Sequence, residues 1–298
     1  MTPLRVLVTG AHGFIGQAVC RKLLQSGYDV TDGGADLLFN LESRIFSIKP
    51  DAVIHLAKPR SDGIRTMAER PYGFADEVLQ LDRTVIRLCA LAHPKPKPIC
   101  MGSACAYPEK APIPTPESAL WNGYPEKVNA PYGIAKRTQL MLLQAARVQH
   151  GLNGLHLILS NVYGPGDRTE HVIPATIRKM AANPDELTVW GRPDVTRSFL
   201  YVEDAAEGIV LALERYNAPE PLNLAPLEET SMVELVNSLS YIMDWHGTVK
   251  YDRTKPTGQR RRKYNTREAQ EHLRWTARTG LEDGLTATVR WMTEEKLI

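Results

Sequence analysis

A glycine-rich segment near residue 10 constrains this chain more than any other feature of its sequence. The apolar run Leu4–Val8 is of strand type, and Gly10, Gly13 and Gly16 follow it at the start of an amphipathic segment. At this spacing the first glycine permits a tight turn, the second lets the backbone approach a pyrophosphate, and the third lets the helix pack closely on the strand. The N–H groups at the start of such a helix face the phosphates. The pattern therefore predicts a dinucleotide-binding turn, with three further candidate cofactor contacts in it, His12, Phe14 and Ile15.

Strand-type runs alternate with helical patterns through the first half of the chain. The runs are Leu4–Val8, Tyr28–Thr31, Ala52–Leu56, Ile99–Met101 and Leu155–Leu159. The main helical patterns are Phe74–His93, which the prolines at 94, 96 and 98 end, and Tyr132–His150. This alternation predicts an α/β fold with a doubly wound parallel sheet of the Rossmann type.

The second half of the sequence has shorter strand patterns, isolated helices and more proline. We interpret it as a smaller C-terminal substrate lobe, which divides the chain into a dinucleotide-binding domain, residues 1–165, and a substrate-binding lobe, residues 166–298. A segment near 197–216 is expected to return to the first domain.

Composition excludes several classes of function. The chain has 298 residues, with 36 Lys and Arg against 34 Asp and Glu, a net charge of +2 that argues against nucleic acid or an anionic membrane as the main partner. No apolar stretch approaches the ~20 residues of a membrane span, and the N-terminal segment lacks the layout of a signal peptide, so we expect a cytoplasmic protein. The four cysteines form no CxxC pair, which predicts neither a disulfide framework nor a metal site.

Residues at the ends of the second and third predicted strands are candidate cofactor contacts. Asp32 lies 22 residues after Gly10, where an acid binds the hydroxyls of the adenosine ribose and disfavours a 2′-phosphate, so it predicts NADH. The alternative is a plain turn residue before two glycines. Further candidates are Asp36 and Leu37 near the adenine, and Leu56 and Ala57 at the end of the third strand.

Three polar residues suggest proton transfer at a carbonyl or carbinol. Ser103 follows the fourth strand, at the sheet edge where ligands bind, and Tyr132 and Lys136 share one helix face at positions i and i+4. A lysine ammonium beside a tyrosine lowers the tyrosine pKa, so we expect a phenol that exchanges its proton easily.

Several longer motifs make the chain recognisable. They are GSACAYP from Gly102, PESAL from Pro116, YGIAK from Tyr132, NVYGP from Asn161, HVIPA from His171, VWG from Val189, RSFL from Arg197 and KPTG from Lys255. With these motifs the chain resembles the extended short-chain dehydrogenase/reductases, and within them the GDP-L-fucose synthase family, over nearly its whole length.

The resemblance implies a nucleotide-sugar 3,5-epimerase/4-ketoreductase acting on a GDP-4-keto-6-deoxyhexose. It implies that Ser103, Tyr132 and Lys136 form the reductive triad, and that Cys105 and His171 are the base and acid that move protons beside the 4-keto group. The implied substrate contacts are Asn161, Trp190, Arg197 and Arg262. The resemblance also implies NADPH as cofactor and a homodimer formed through the helices near 74–93 and 132–150.

The residues leave alternatives open. His12 and Asp32 stand where the family has arginines that bind the 2′-phosphate. The cofactor prediction is therefore NAD(P)H: the family resemblance implies NADPH, whereas Asp32 predicts NADH. Cys105 can instead be packing, and the enzyme can be a 4-ketoreductase or epimerase only, on another GDP- or dTDP-linked sugar such as a GDP-heptose. A dinucleotide-sensing regulatory protein is a third possibility, against which the intact Ser103, Tyr132 and Lys136 argue.

Overall fold

The computed structural model describes residues 3–34, 37–59, 61, 63–255 and 258–298. The strands are β1 (Arg5–Thr9), β2 (Asp29–Asp32), β3 (Ala52–His55), β4 (Lys97–Met101), β5 (Leu155–Leu159), β6 (Asn161–Tyr163), β7 (Glu186–Trp190), β8 (Thr196–Arg197), β9 (Phe199–Tyr201), β10 (Leu222–Leu224), β11 (Thr230–Ser231) and β12 (Thr248–Asp252). The helices are α1 (Phe14–Gln25), α2 (Leu37–Ile48), α3 (Ile64–Glu69), α4 (Pro71–Leu91), α5 (Ala130–His150), α6 (Val172–Ala182), α7 (Val202–Arg215), α8 (Met232–Ile242), α9 (Arg267–Leu273) and α10 (Leu281–Glu294). Asp36, a predicted adenine contact, lies outside the described residues, and Leu37 is the first residue of α2.

A parallel sheet of six strands forms the larger layer, in the order β10-β5-β4-β3-β1-β2. The predicted Rossmann-type fold is confirmed. The chain winds in one direction from β1 to β2 and in the other from β3 onwards, so the order reverses between β1 and β3. Ligands of such sheets bind beyond the carboxyl ends of the strands at this reversal. Thr9 and His55 end these two strands and are paired in register.

Prolines decide where the long helices begin. Helix α4 begins at Pro71, three residues before the predicted start, and α5 begins at Ala130 with Pro131 in its first turn. Proline suits the first turn because its missing N–H has no intrahelical partner there.

The predicted strands agree with the structure to within two residues. Within the described ranges, no helix combines the length and the apolarity needed to cross a membrane.

The chain returns to the sheet after residue 165. Helix α7 packs on α1, and β10 extends the sheet as the parallel neighbour of β5. Trp275 is 2% exposed and belongs to the same apolar cluster as β1, β5 and α7. The returning part thus extends beyond the predicted segment near 197–216, because the free edge of β5 accepts the later strand β10. The division of the chain at residue 165 stays a prediction.

A second apolar cluster lies outside the sheet. It joins α6, α8 and α10 to the parallel pair of β7 and β12, with Ile177, Leu187 and Leu239 in its interior. The elements of this smaller body lie along the chain on both sides of β10, the last strand of the sheet.

We expect Trp275→Ala to lower the free energy of unfolding by about 3–5 kcal/mol, because it removes a large buried side chain from the core of the sheet. Gly208 on α7 would bring an added Cβ to within 3.1 Å of the indole, so the surrounding packing is close. Urea denaturation measures the change. The control Tyr241→Ala removes an 86% exposed side chain and should change the free energy by less than about 0.5 kcal/mol. A loss below about 1 kcal/mol for Trp275→Ala would contradict the packing.

Candidate functional site

The glycine turn has the shape of a phosphate cradle. Gly10 adopts φ +71°, and a Cβ there would lie 2.7 Å from the backbone N of Ala57. A Cβ on Gly16 would lie 2.0 Å from the carbonyl oxygen of Gly10, so only glycine allows α1 to approach β1 this closely. Helix α1 begins after Gly13 with neither a side-chain cap nor an acidic residue in its first turn. Its N–H groups and positive dipole end are therefore available to a pyrophosphate, and the residues fit a dinucleotide.

Asp32 ends β2 beside this turn and already has partners. One oxygen of its carboxylate accepts the Gly34 N–H at 2.9 Å, and the other lies 2.9 Å from Nε2 of His12. Arg44 on α2 donates to the Asp32 backbone carbonyl at 2.6 Å. The sequence interpretation missed Arg44, because its position depends on how α2 packs. The carboxylate is partly exposed and the imidazole is largely exposed, so both can contact a ribose.

Ser103 and Tyr132 come together because α5 packs closely on the turn after β4. A Cβ on Gly133 would lie 2.4 Å from the carbonyl oxygen of Cys105, so glycine permits this approach. Arg137 donates to the Ala106 carbonyl at 2.7 Å and holds the same turn. The hydroxyl of Ser103 lies close enough to the phenol of Tyr132 to lower the pKa of the phenol. These two predicted residues are therefore adjacent.

Lys136 faces inwards, one helical turn after Tyr132, and forms a buried ion pair. Its Nζ lies 3.0 and 3.2 Å from the two carboxylate oxygens of Asp82 on α4. Nε2 of His55 lies 3.2 Å from the same carboxylate, and Nδ1 of His55 lies 2.7 Å from the hydroxyl of Thr9. All four side chains are buried. The sequence interpretation missed Asp82 and His55, although an acid on the apolar stripe of a helix and a histidine in an apolar strand were visible signals.

Lys136 lowers the pKa of Tyr132, as expected, but the net shift has the opposite direction. Burial raises the pKa of Tyr132 above its usual value, and this outweighs the lowering by Lys136 and by the hydrogen bond to Ser103. Asp82 also opposes the lysine, since its charge raises the Tyr132 pKa. Burial would lower the pKa of Lys136, but Asp82 raises it above its usual value. The pair is therefore an ammonium beside a neutral phenol.

Cys105 lies beside two arginines. Its side chain lies near the guanidinium of Arg262, whose pKa it raises, and this guanidinium donates to Glu126 at 2.8 Å. Arg197 donates to the Gln259 carbonyl at 2.8 Å, and burial followed by the charge of Arg262 lowers the pKa of Arg197 to about 10. Two guanidinium groups with one nearby carboxylate leave excess positive charge, which suits a diphosphate.

The remaining predicted residues lie on other segments. His171 precedes α6, and a Cβ on Gly63 would lie 3.4 Å from its imidazole, so it borders the segment after β3. Asn161 begins β6, and its N–H donates to Ser198. Trp190 ends β7, half exposed, with the ammonium groups of Lys179 and Lys255 5.9 and 5.5 Å from its ring. The described contacts of these three residues are not with Ser103, Tyr132 or Cys105.

Residues 6–225 match the NAD dependent epimerase/dehydratase family. The chain is 34% identical to "GDP-L-fucose synthase 1" of Arabidopsis thaliana over 301 residues, which cover 96% of this chain and 92% of the relative. It is 32% identical to "GDP-L-fucose synthase" of Sinorhizobium fredii (strain NBRC 101917 / NGR234), with 94% and 93% covered.

Among solved structures, the fold is similar to that of a UDP-glucose 4-epimerase with UDP-glucose from Thermotoga maritima. The TM-score is 0.87 at 26% identity, and the alignment covers 98% of this chain and all of that one. A nucleotide-binding turn, a Ser-Tyr-Lys arrangement and a pair of arginines thus occur in a chain whose relatives bear the names of sugar-nucleotide enzymes.

Proposed function

Because this chain belongs to the NAD dependent epimerase/dehydratase family, we propose that it is a nucleotide-sugar 3,5-epimerase/4-ketoreductase acting on a GDP-4-keto-6-deoxyhexose. One observation carries the proposal. Ser103 and Cys105 belong to the same short turn, in which Cys105 lies beside Arg262 and Ser103 lies beside Tyr132. A group for carbon acid chemistry and a group for carbonyl reduction therefore share one site. The curated relatives named GDP-L-fucose synthase support the choice of nucleotide sugar.

The epimerisation begins at the carbons beside the ketone. A 4-keto group acidifies C3 and C5, because the electron pair left by the proton spreads onto the carbonyl oxygen as an enolate. Cys105 as thiolate takes the proton, and His171 returns a proton to the opposite face of the carbon. Arg262 places positive charge beside the sulfur. Ser103 and Tyr132 donate hydrogen bonds to the enolate oxygen and stabilise its charge.

The reduction uses the other side of the same site. The nicotinamide cofactor, when bound, supplies a hydride to C4. Tyr132 gives its proton to the C4 oxygen while Ser103 hydrogen-bonds that oxygen and orients it. The raised pKa of Tyr132 keeps the phenol protonated before this step. Arg197 and Arg262 bind the diphosphate, and Trp190 and Asn161 contribute to the substrate pocket.

For the cofactor we propose a preference for NADH. Asp32 presents a carboxylate at the end of β2, where a 2′-phosphate would meet like charge. The guanidinium of Arg44 is directed at the backbone carbonyl of Asp32, and the imidazole of His12 at its carboxylate, so both side chains are already engaged. Gly10, Gly13, Gly16, Phe14 and Ile15 hold the pyrophosphate side, and Leu56 and Ala57 border it.

We further propose a homodimer formed through α4 and α5. Ile134, Met141 and Val148 are exposed and follow one another at intervals of seven residues, so they form one apolar stripe along α5. Val148 is 90% exposed. A second copy of the same stripe covers it symmetrically, because a two-fold axis brings identical helices together. Two helices from each copy then form a four-helix bundle.

A cytoplasmic location belongs to the same proposal. All four cysteines are unpaired thiols. Burial raises the pKa of Cys89 and Cys100 and keeps them unreactive. Unpaired thiols in this number suit a reducing compartment.

Two variants separate the proposed chemistries. With GDP-4-keto-6-deoxymannose and a reduced nicotinamide in D₂O, Cys105→Ser should stop deuterium entering C3 and C5, because a serine hydroxyl is a far weaker base than a thiolate. Reduction at C4 should persist. Tyr132→Phe should lower the rate of reduction by roughly 10²–10⁴-fold, the contribution of a positioned acid. Product NMR measures both reactions.

Deuterium exchange at the wild-type rate in Cys105→Ser would assign Cys105 to packing and leave a reductase without epimerisation. Wild-type activity of Tyr132→Phe would contradict its role as the acid. If the wild type leaves this sugar unchanged, a GDP-heptose is the next substrate to test.

The cofactor preference is measured as the ratio of Kd values for NADH and NADPH, from quenching of protein fluorescence. We expect wild type to bind NADH more tightly and Asp32→Asn to raise the ratio of the Kd for NADH to the Kd for NADPH by roughly fivefold, the effect of about 1 kcal/mol from a half-exposed charge. Arg44→Gln is the matched control and should leave the ratio unchanged. Tighter binding of NADPH by wild type that disappears in Arg44→Gln would make Arg44 the phosphate ligand and reverse the proposal.

Met141→Asp should convert the dimer to a monomer, because it places a charge in the centre of the apolar stripe. Light scattering after size-exclusion chromatography gives the mass, which should halve from twice 33.3 kDa. Tyr241→Asp introduces the same charge at an exposed aromatic of α8 and should leave the dimer intact. A monomeric wild type, or a dimeric Met141→Asp, would refute this interface.

A further inference from the structure

A buried polar cluster behind the candidate site has no part in the reaction as proposed so far. It consists of Asp82, His55 and Thr9, with Lys136 at its inner end, and each of the four residues is at most 5% exposed. Its members come from α4, α5, β3 and β1, so four separate elements meet in it. Burying charged groups in this way is costly unless they are paired and hydrogen-bonded. The cluster is complete in that sense, since each member contacts the next.

The chemistry of the groups assigns one direction to the hydrogen bonds. A carboxylate only accepts, so Asp82 accepts from the Lys136 ammonium and from Nε2–H of His55. Nδ1 of His55 then accepts from the hydroxyl of Thr9. The Thr9 oxygen in turn lies 3.4 Å from the N–H of Ala57. The lysine is thus linked to the last residue of β1, directly before the glycine turn.

The carboxylate of Asp82 stays ionised at every working pH. Burial would raise its pKa, but Lys136 and His55 outweigh burial and bring the pKa to about 2. The surrounding titratable groups come from every element packed against the pair. They are His55 from β3, Cys100 from β4, His156 from β5, Tyr132 from α5, Lys58 after β3, Cys105 after β4, and the buried Asp167 after β6, which faces Lys58.

Two of these neighbours are neutral at working pH. Burial raises the pKa of Cys100 well above its usual value, so it remains a thiol. Burial lowers the pKa of His156 to about 3, so its imidazole is uncharged. Asp82 is therefore the ionised carboxylate paired with the Lys136 ammonium, while burial followed by the charge of Lys136 lowers the pKa of Lys58 on the same side.

We propose that Asp82 is a positioning residue for the reductase reaction: held by His55 and Thr9, it fixes Lys136 in its charged form and keeps Tyr132 protonated as the acid. The proposal rests on the function proposed above. An ammonium alone would favour loss of the phenol proton, and a buried lysine alone would favour its own neutral form. A negative charge beside the pair opposes both losses. Asp82 thereby preserves the form in which Lys136 and Tyr132 are both protonated, and in this form Tyr132 can donate its proton to the substrate oxygen.

Removing this charge should make proton loss from the Tyr132–Lys136 pair easier, whichever residue releases the proton first. We expect Asp82→Asn to move that first loss to lower pH by on the order of one unit. ¹³C-labelled tyrosine and lysine followed by NMR from pH 6 to 10.5 measure it without cofactor or substrate. Tyr132→Phe identifies the tyrosine resonance. Circular dichroism establishes the pH range in which each variant is folded.

The pH profile of kcat for reduction provides the second readout. Its alkaline limb should move to lower pH by the same amount in Asp82→Asn and stay in place in Asp82→Glu, which keeps the charge. Asp204→Asn is the matched control, because Asp204 is also buried and accepts the Thr279 N–H at 2.9 Å, but on α7. If Asp82 had only a structural role, its replacement would lower stability without moving the alkaline limb of the kcat profile or the pH at which the tyrosine and lysine resonances shift.

If Asp82→Asn does not fold, Asp82→Ser gives the same readout, because the smaller side chain leaves room for a water molecule beside the ammonium. Unchanged resonances and an unchanged alkaline limb in the folded variant would overturn the proposal. If no sugar nucleotide is turned over, the proposed function fails, while the NMR titration still decides whether Asp82 controls the protons of the pair.

Discussion

The reversal of strand order between β1 and β3 is the constraint on which the rest of the molecule depends. The crossovers leave these neighbouring strands in opposite directions, so a crevice opens at their carboxyl ends. Gly10 and Gly16 allow β1 to turn there within van der Waals contact of Ala57 and to start α1 at once. The same edge receives the turn after β4. The glycine turn and Ser103 therefore lie at the same edge of the sheet.

Charge balance is the second principle of the site. The two cations nearest the proposed chemistry each have a carboxylate partner: Lys136 has Asp82, and Arg262 has Glu126. The partners differ in accessibility, since Asp82 is fully buried behind the helices and Glu126 lies in the more open part near Gly258. A buried partner fixes a permanent charge state, because no solvent can replace it.

Local sequence patterns were sufficient for five strands of the sheet and for the two long helices. The glycine spacing and the strand-type runs act over a few residues, so the limits of these five strands could be predicted to within two residues. The sequence also predicted Ser103, Tyr132 and Lys136, because a helix places residues i and i+4 on one face and the strands of a parallel sheet end at one edge. The direction of the Tyr132 pKa shift could not be predicted, because burial and the charge of Asp82 depend on elements distant in sequence.

The sequence by itself determined a Rossmann-type sheet, a dinucleotide turn and the identity of the groups that could move a proton, because these follow from short-range periodicity and residue chemistry. Only the tertiary structure decided that β10 returns to the edge of β5, that Arg44 lies at Asp32, and that Arg262 touches Cys105. It also decided that Asp82 and His55 stand behind Lys136. Their positions are set by packing between segments tens of residues apart, and no local pattern carries the distance between two side chains that meet only when the chain is folded.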